Sequence, residues 1–228
     1  KKMNTKNLMS VLAMLLSLIT TGCKKDENEG VTPEIVSTYP ISNAIHVPIN
    51  TGISSNFSVS MDSTTITSTS FTVLKGTSVV SGTISYAGTT ATFIPAANLE
   101  PKTTYQVTFT TAVKNKTGQA LAQNYTWSFT SGEVADIVKP LVTITNPLNN
   151  ATGVALNYAI TATFSKSMNP SSITALTFLL KQGTSSVSGV VTCTGEKVTF
   201  TPTAKLEPNK SYTATITTGV SDLAGNSL

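Results

Sequence analysis

The 228-residue chain carries 15 lysines, no arginine and 11 acidic residues, a formal charge of +4, and only 11% of its residues are charged. With no guanidinium to grip phosphate and with charge near balance, no nucleic-acid partner is expected. Two cysteines cannot build a disulfide framework, and the abundance of Ser and Thr suits the outward faces of strands in a secreted all-β protein.

The chain opens on Lys1, Lys2 and Lys6, followed by an apolar run from Leu8 to Ile19. A run of about a dozen residues suits the core of a signal peptide and falls short of the roughly 20 needed to cross a bilayer. It ends in Thr20-Thr21-Gly22-Cys23, which resembles a bacterial lipobox, although Thr20 stands where Leu is usual. That resemblance implies cleavage after residue 22 and acylation of Cys23, giving a membrane partner through a lipid anchor. An ordinary signal peptide with an incidental Cys is the alternative. Without the three leader lysines, 12 lysines face 11 acidic residues, so the pI near 9.0 belongs largely to the leader.

Residues 23–33 include Lys24-Lys25-Asp26-Glu27-Asn28-Glu29-Gly30, which has nothing to bury and reads as a flexible tether. Lysines followed by acidic residues resemble the signal that sends lipoproteins to the outer face of the outer membrane in one bacterial phylum. A plain soluble leash is the alternative.

From here the chain repeats itself without a gap at an offset of 107 positions (168 − 61): Met61 recurs as Met168, Pro40 as Pro147, Phe93 as Phe200 and Tyr105 as Tyr212. That period is too long for a solenoid unit and right for a whole domain. Residues 34–131 form the first copy, 132–140 a linker and 141–228 the second. Period-two alternation predicts strands over Glu34–Tyr39, Ile53–Met61, Phe71–Leu74, Val79–Tyr86, Thr90–Ile94, Thr104–Thr111 and Asn124–Thr130. In the last of these, Tyr125, Trp127 and Phe129 share an inward face. About seven short strands per copy predict tandem Ig-like Greek-key β-sandwiches.

Leu99-Glu100-Pro101 before Tyr105, and Leu206-Glu207-Pro208 before Tyr212, resemble the tyrosine corner, in which the hydroxyl bonds back to the corner backbone. Tyr105 and Tyr212 are therefore structural residues. The order of signals is similar to the bacterial Ig-like domain named after the S-layer protein SbsA. It runs through a Pro-x-x-Asn-Ala turn, a Phe-Ser-x-Ser-Met strand end, a Gly-Thr-Ser hairpin, a Phe-x-Pro strand end and the Leu-Glu-Pro…Tyr corner. Asp222-Leu-Ala-Gly225-Asn226, or its variant Asn115-Lys-Thr-Gly118, follows, and a Trp-x-Phe strand closes the first copy. The resemblance implies extracellular tandem modules of surface-layer proteins, adhesins, secreted hydrolases and some ice-binding proteins. It implies no activity.

Candidate sites are few. His46, the only histidine, lies in the turn Asn43–Pro48 with no nucleophile or orienting acid around it in the sequence. Asp62 and Asp222, with Asn169 and Asn115 at their partner positions, are the acidic residues to weigh as calcium ligands. A calcium site needs six or more oxygens, and the acidic residues are scattered, so no metal is expected. Asp62-Ser63-Thr64 also resembles a short bacterial O-glycosylation acceptor. Trp127, Tyr125 and Tyr39 suggest a sugar-stacking platform, but Trp127 and Tyr125 alternate with Thr126 and Ser128 and so read as core, and the outward Thr104, Thr108 and Thr110 read as solvated sheet. Cys193, partnered by Tyr86, reads as a small buried hydrophobe.

The second copy ends at Leu228, before the counterpart of Asn124–Thr130, and the sequence begins Lys-Lys-Met. Both ends suggest a fragment, and residues 141–228 alone are expected to be unfolded or aggregation-prone. The functional expectation is a non-catalytic, monomeric, cofactor-free outer-membrane lipoprotein segment, exposed at the cell surface. Its modules serve as a stalk or adhesive spacer, with a surface glycan or protein as ligand. The alternatives are accessory modules of a polysaccharide-active enzyme or of an ice-binding protein whose effector lies beyond residue 228.

Overall fold

The computed structural model describes residues 30–228; the expected leader, Cys23 and the start of the expected tether lie outside the described residues. In the first repeat nine strands form: β1 (Ile35–Tyr39), β2 (Ala44–Val47), β3 (Ile53–Phe57), β4 (Phe71–Lys75), β5 (Ser78–Val79), β6 (Gly82–Ala87), β7 (Thr90–Pro95), β8 (Thr104–Phe109) and β9 (Tyr125–Ser131). They pair in two sheets, ordered β1-β3-β7-β6 and β2-β9-β8-β4-β5. Strands of alternating apolar and polar residues must bury one face, and the two sheets bury theirs on each other. Phe57 of one sheet meets Phe109 of the other edge-on at 5.3 Å, and Phe93 meets Phe71 at 6.0 Å. Ile53, Val73, Val107 and Phe109 are wholly buried at the centre.

The second repeat uses β10 (Val142–Asn146), β11 (Ile160–Phe164), β12 (Phe178–Gln182), β13 (Ser185–Ser186), β14 (Gly189–Thr194), β15 (Lys197–Pro202) and β16 (Thr213–Ile216). Its sheets, β10-β11-β15-β14 and β13-β12-β16, reproduce the first pair strand for strand, except that among the described residues β2 and β9 have no counterpart. Even the bulge between Ile35 and Ser37 against β3 recurs between Val142 and Ile144 against β11. The expectation of tandem all-β sandwiches holds.

Three details differ from the sequence reading. The segment Asn43–Pro48 is not only a turn, because Ala44–Val47 pairs parallel with β9. A register shift between Ala44 and Val47, with His46 at φ 57°, hides the alternation that would have marked it as a strand. The stretch Val79–Tyr86 is two strands, broken where Val80 and Ser81 turn the chain from one sheet to the other. Tyr125 is 37% exposed at the start of β9, whereas Trp127 and Phe129 are buried.

Without a β9 counterpart, the second core is less covered. Tyr105 and Val107 are buried in the first repeat, while Tyr212 is half-buried and Ala214 exposed at the same places. β16 pairs with β12 alone, so its outer edge is open among the described residues.

Candidate functional site

Both corner tyrosines bond to the backbone five residues upstream. The Glu100 N–H donates to the Tyr105 hydroxyl at 2.7 Å, and the Glu207 N–H to the Tyr212 hydroxyl at 2.8 Å. Lys75 also pairs with Glu100 beside the first corner. These contacts fix a bend and offer no reactive group.

The other sequence candidates are dispersed. His46 is exposed on β2. Asp62 caps the 3-10 turn Ser63–Thr65, accepting from the Thr64 N–H at 3.0 Å and the Thr64 hydroxyl at 2.7 Å, and these bonds lower its pKa. Asn169 caps Pro170–Ser172 in the same way, accepting from the Ser171 N–H at 3.1 Å. Both are turn-forming Asx residues. Burial pushes the Cys193 thiol up to about 12. Trp127 donates its indole N–H to the Pro40 carbonyl at 3.1 Å from inside the core. Thr104 and Thr108 bond Thr130 and Thr126 across the exposed face of β8 and β9, both at 3.0 Å. Among the described residues no group of three or more His, Cys, Asp or Glu side chains could hold a metal ion, and no helix is long and apolar enough to cross a membrane.

Asp222 leads to a place where polar side chains from both repeats and the linker converge, the joint between the repeats. In the first repeat the turn residue Asn115 accepts from the Thr117 and Gln119 N–H groups at 3.0 and 2.8 Å, and its amide donates to the Val31 carbonyl at 3.0 Å. Asp222 builds the same turn, accepting from the Ala224 and Asn226 N–H groups at 2.9 and 2.8 Å. A carboxylate cannot donate, however, so it cannot hold the linker directly. Lys166 supplies the missing protons. Its ammonium donates to the Val138 carbonyl at 2.5 Å and to Asp136 Oδ2 at 2.6 Å, and lies 3.3 Å from Asp222 Oδ2. Lys166 and Asp136 side chains are each 22% exposed and Asp222 only 1%. Burial opposes charge on both partners. The Lys166 hydrogen bond, with the Val138 N–H, nevertheless lowers the Asp136 pKa, and the two carboxylates raise that of Lys166.

The linker is then tied to the first repeat. Asn50 accepts from the Asp136 N–H at 2.7 Å and donates to the Asp136 and Ala224 carbonyls at 2.9 and 3.3 Å. Asn226 donates to the same Asp136 carbonyl at 3.0 Å. Next to this network Leu223, 4% exposed, seats on Gly52, whose N–H donates to the Leu223 carbonyl at 2.7 Å. A Cβ at Gly52 would stand 2.9 Å from that carbonyl and 2.7 Å from Ile94 Cδ1, so the close approach requires glycine. Ser171 and Ser85 add a hydroxyl contact at 2.7 Å. Sequence reasoning passed over Lys166, Asp136, Asn50 and Leu223. The available signal was a lysine in the inward phase of Ile160, Ala162 and Phe164, at the position where the first copy has Val59.

The chain belongs to the bacterial Ig-like domain family (Big_5), which it matches twice, over residues 29–131 and 136–228. No curated protein sequence matches the chain. Similar solved structures include the N-terminal part of the bacterial S-layer protein SbsC, at 15% identity and TM-score 0.37, with 83% of this chain and 45% of that one covered. The LD transpeptidase LdtMt1 in complex with imipenem is similar at 15% identity and TM-score 0.34, covering 71% and 65%. Native alpha-2-macroglobulin from Escherichia coli, spanning domains MG0-NIE-MG1, is similar at 12% and TM-score 0.36, covering 82% and 61%. The chain spans less than half of the S-layer structure.

Proposed function

We propose that the chain is a non-catalytic, cell-surface stalk. Residues 1–22 are a leader, Cys23 carries the lipid, residues 23–33 are the tether, and the two Ig-like modules form a spacer that holds whatever is joined to them away from the outer membrane. The observation that supports this reading is the joint. Ion pairs, hydrogen bonds from the Asn50 and Asn226 amides and a buried leucine couple two sandwiches whose other candidate residues are dispersed, which suits transmission of position better than chemistry. Two acyl chains at one cysteine give durable anchoring where a single chain is marginal.

The test is expression of the wild type and Cys23→Ser in a Gram-negative host, followed by membrane fractionation and protease treatment of intact cells. The reading expects the wild type in the outer-membrane fraction and protease-accessible, with Cys23→Ser released. A Cys23→Ser variant that stays in the membrane fraction would contradict the anchor.

A further inference from the structure

The two turns that clamp the chain entering each module do so by different chemistry. In the first repeat, among the described residues, the neutral amide of Asn115 donates to the Val31 carbonyl of the entering chain, and Val59 is buried. In the second, Val138 occupies the place of Val31, Asp222 that of Asn115 and Lys166 that of Val59. The amide's one donated bond has been replaced by a lysine ammonium that touches three oxygens: the Val138 carbonyl, Asp136 Oδ2 and Asp222 Oδ2. Two substitutions relative to the first copy act as one unit, since either alone is costly. Lysine without the second carboxylate loses a partner, and the 1% exposed carboxylate without lysine is a buried unpaired charge.

The extra reach has a consequence. Among the described residues the Asn115 amide donates to its own module's entering chain at Val31, whereas Lys166 also holds Asp136, and the backbone of Asp136 is held by Asn50 of the other module. The ammonium therefore ties the second module to the linker at the point where the first module ties it too. Leu223 fits the same logic: its counterpart Lys116 is exposed, and only the second copy carries an apolar knob on this turn.

We propose that Lys166, paired with Asp222 and Asp136, is a positioning residue that sets the angle between the two modules, an internal cation latch that the first copy's Val59 and Asn115 turn lacks. The proposal rests on the stalk reading for its purpose and not for its test. In a stalk, the latch is what makes two beads behave as one rod.

The experiment uses the chain produced without its leader, carrying Cys23→Ser and Cys193→Ala, with spin labels at the exposed positions Thr77 and Thr184, one on each module. Double electron–electron resonance gives the inter-module distance distribution in the monomeric fraction, and circular dichroism checks that each variant retains its β-structure. The unaltered pair should show a single narrow peak. Lys166→Met should at least double its width. The double variant Lys166→Val with Asp222→Asn, which installs the first copy's neutral pair, removes the unpaired carboxylate and lets the amide hold the Val138 carbonyl. It should recover the fold stability that Lys166→Met loses while leaving the distribution broader than the unaltered one, because the Asp136 carboxylate then keeps only the Val138 N–H within the linker and no ammonium ties it to the second module. A Lys166→Met chain with an unchanged peak would overturn the latch, as would a double variant as narrow as the original. Failure of Cys23→Ser to leave the membrane would overturn the anchor and leave the latch standing.

Discussion

Replacing Gly52 with alanine probes the joint without touching its charges. The new Cβ would lie 2.9 Å from the Leu223 carbonyl oxygen and 2.7 Å from Ile94 Cδ1. Ile94 ends in a flexible methyl and can swing aside, but the Leu223 carbonyl is backbone, so the whole Asp222–Asn226 turn must retreat. The second repeat supplies the control: Ala159 stands at the equivalent position, so a Cβ there is compatible with the sandwich itself. The cost falls on the joint. Overpacking of this kind costs about 1–3 kcal/mol, and the Gly52 N–H to Leu223 bond of 2.7 Å is strained with it. For a coupled unit of this size each kcal/mol lowers the midpoint by about 2–4 °C. Differential scanning calorimetry of Gly52→Ala should therefore show the midpoint falling by several degrees, or one transition splitting into two. Leu223→Ala, which removes the knob from the other side, should act in the same direction. An unchanged, single transition in Gly52→Ala would refute the claim that this contact couples the modules.

The joint should also weaken in acid. The folded-state pKa of Asp136 lies below its ordinary 3.8, so its contribution is present above that value and is lost as pH falls through the lowered one; that of Lys166 lies above 10.5, so its contribution is lost as pH rises through the raised one. The midpoint should be flat between and fall outside, and Lys166→Met should flatten the acid limb; an identical acid limb in that variant would contradict the assignment. Tyr105→Phe and Tyr212→Phe each remove one acceptor for a corner N–H, at a cost of about 1 kcal/mol. Denaturant unfolding should show the larger loss for Tyr105, which is buried, than for Tyr212, which is half-exposed. Residues 141–228 alone should be unfolded or aggregate, and a peptide with the β9 sequence Asn124–Ser131 should bind the open edge of β16 and raise their solubility in a sedimentation assay. A soluble monomer with a cooperative thermal transition would contradict the first expectation.

The strands were legible where alternation is uninterrupted, as in β8, where Tyr105, Val107 and Phe109 all point inward. β2 was not, because its parallel partner β9 lies some eighty residues away and a bulge at His46 breaks the period. Tyr125 carried the inward phase but sits at the end of its strand, where the sheet no longer covers it. The joint was invisible for a different reason. Asp222 draws attention in the sequence for its oxygens, but its partner is an ammonium just past the end of β11 and 56 positions earlier (222 − 166), in contact with a linker whose course the pattern does not reveal. Only the comparison of the two copies, Val59 and Asn115 against Lys166 and Asp222, marks the exchange in the sequence, and it needs the geometry to be read as one.

The most direct measurement of whether the modules form one stiff stalk is per-residue ¹⁵N relaxation of residues 30–228. Amides of both repeats should share one rotational correlation time, as for a single elongated body. Two shorter times, one for residues 34–131 and another for 141–228, would mean independently tumbling beads and would contradict the stiff stalk.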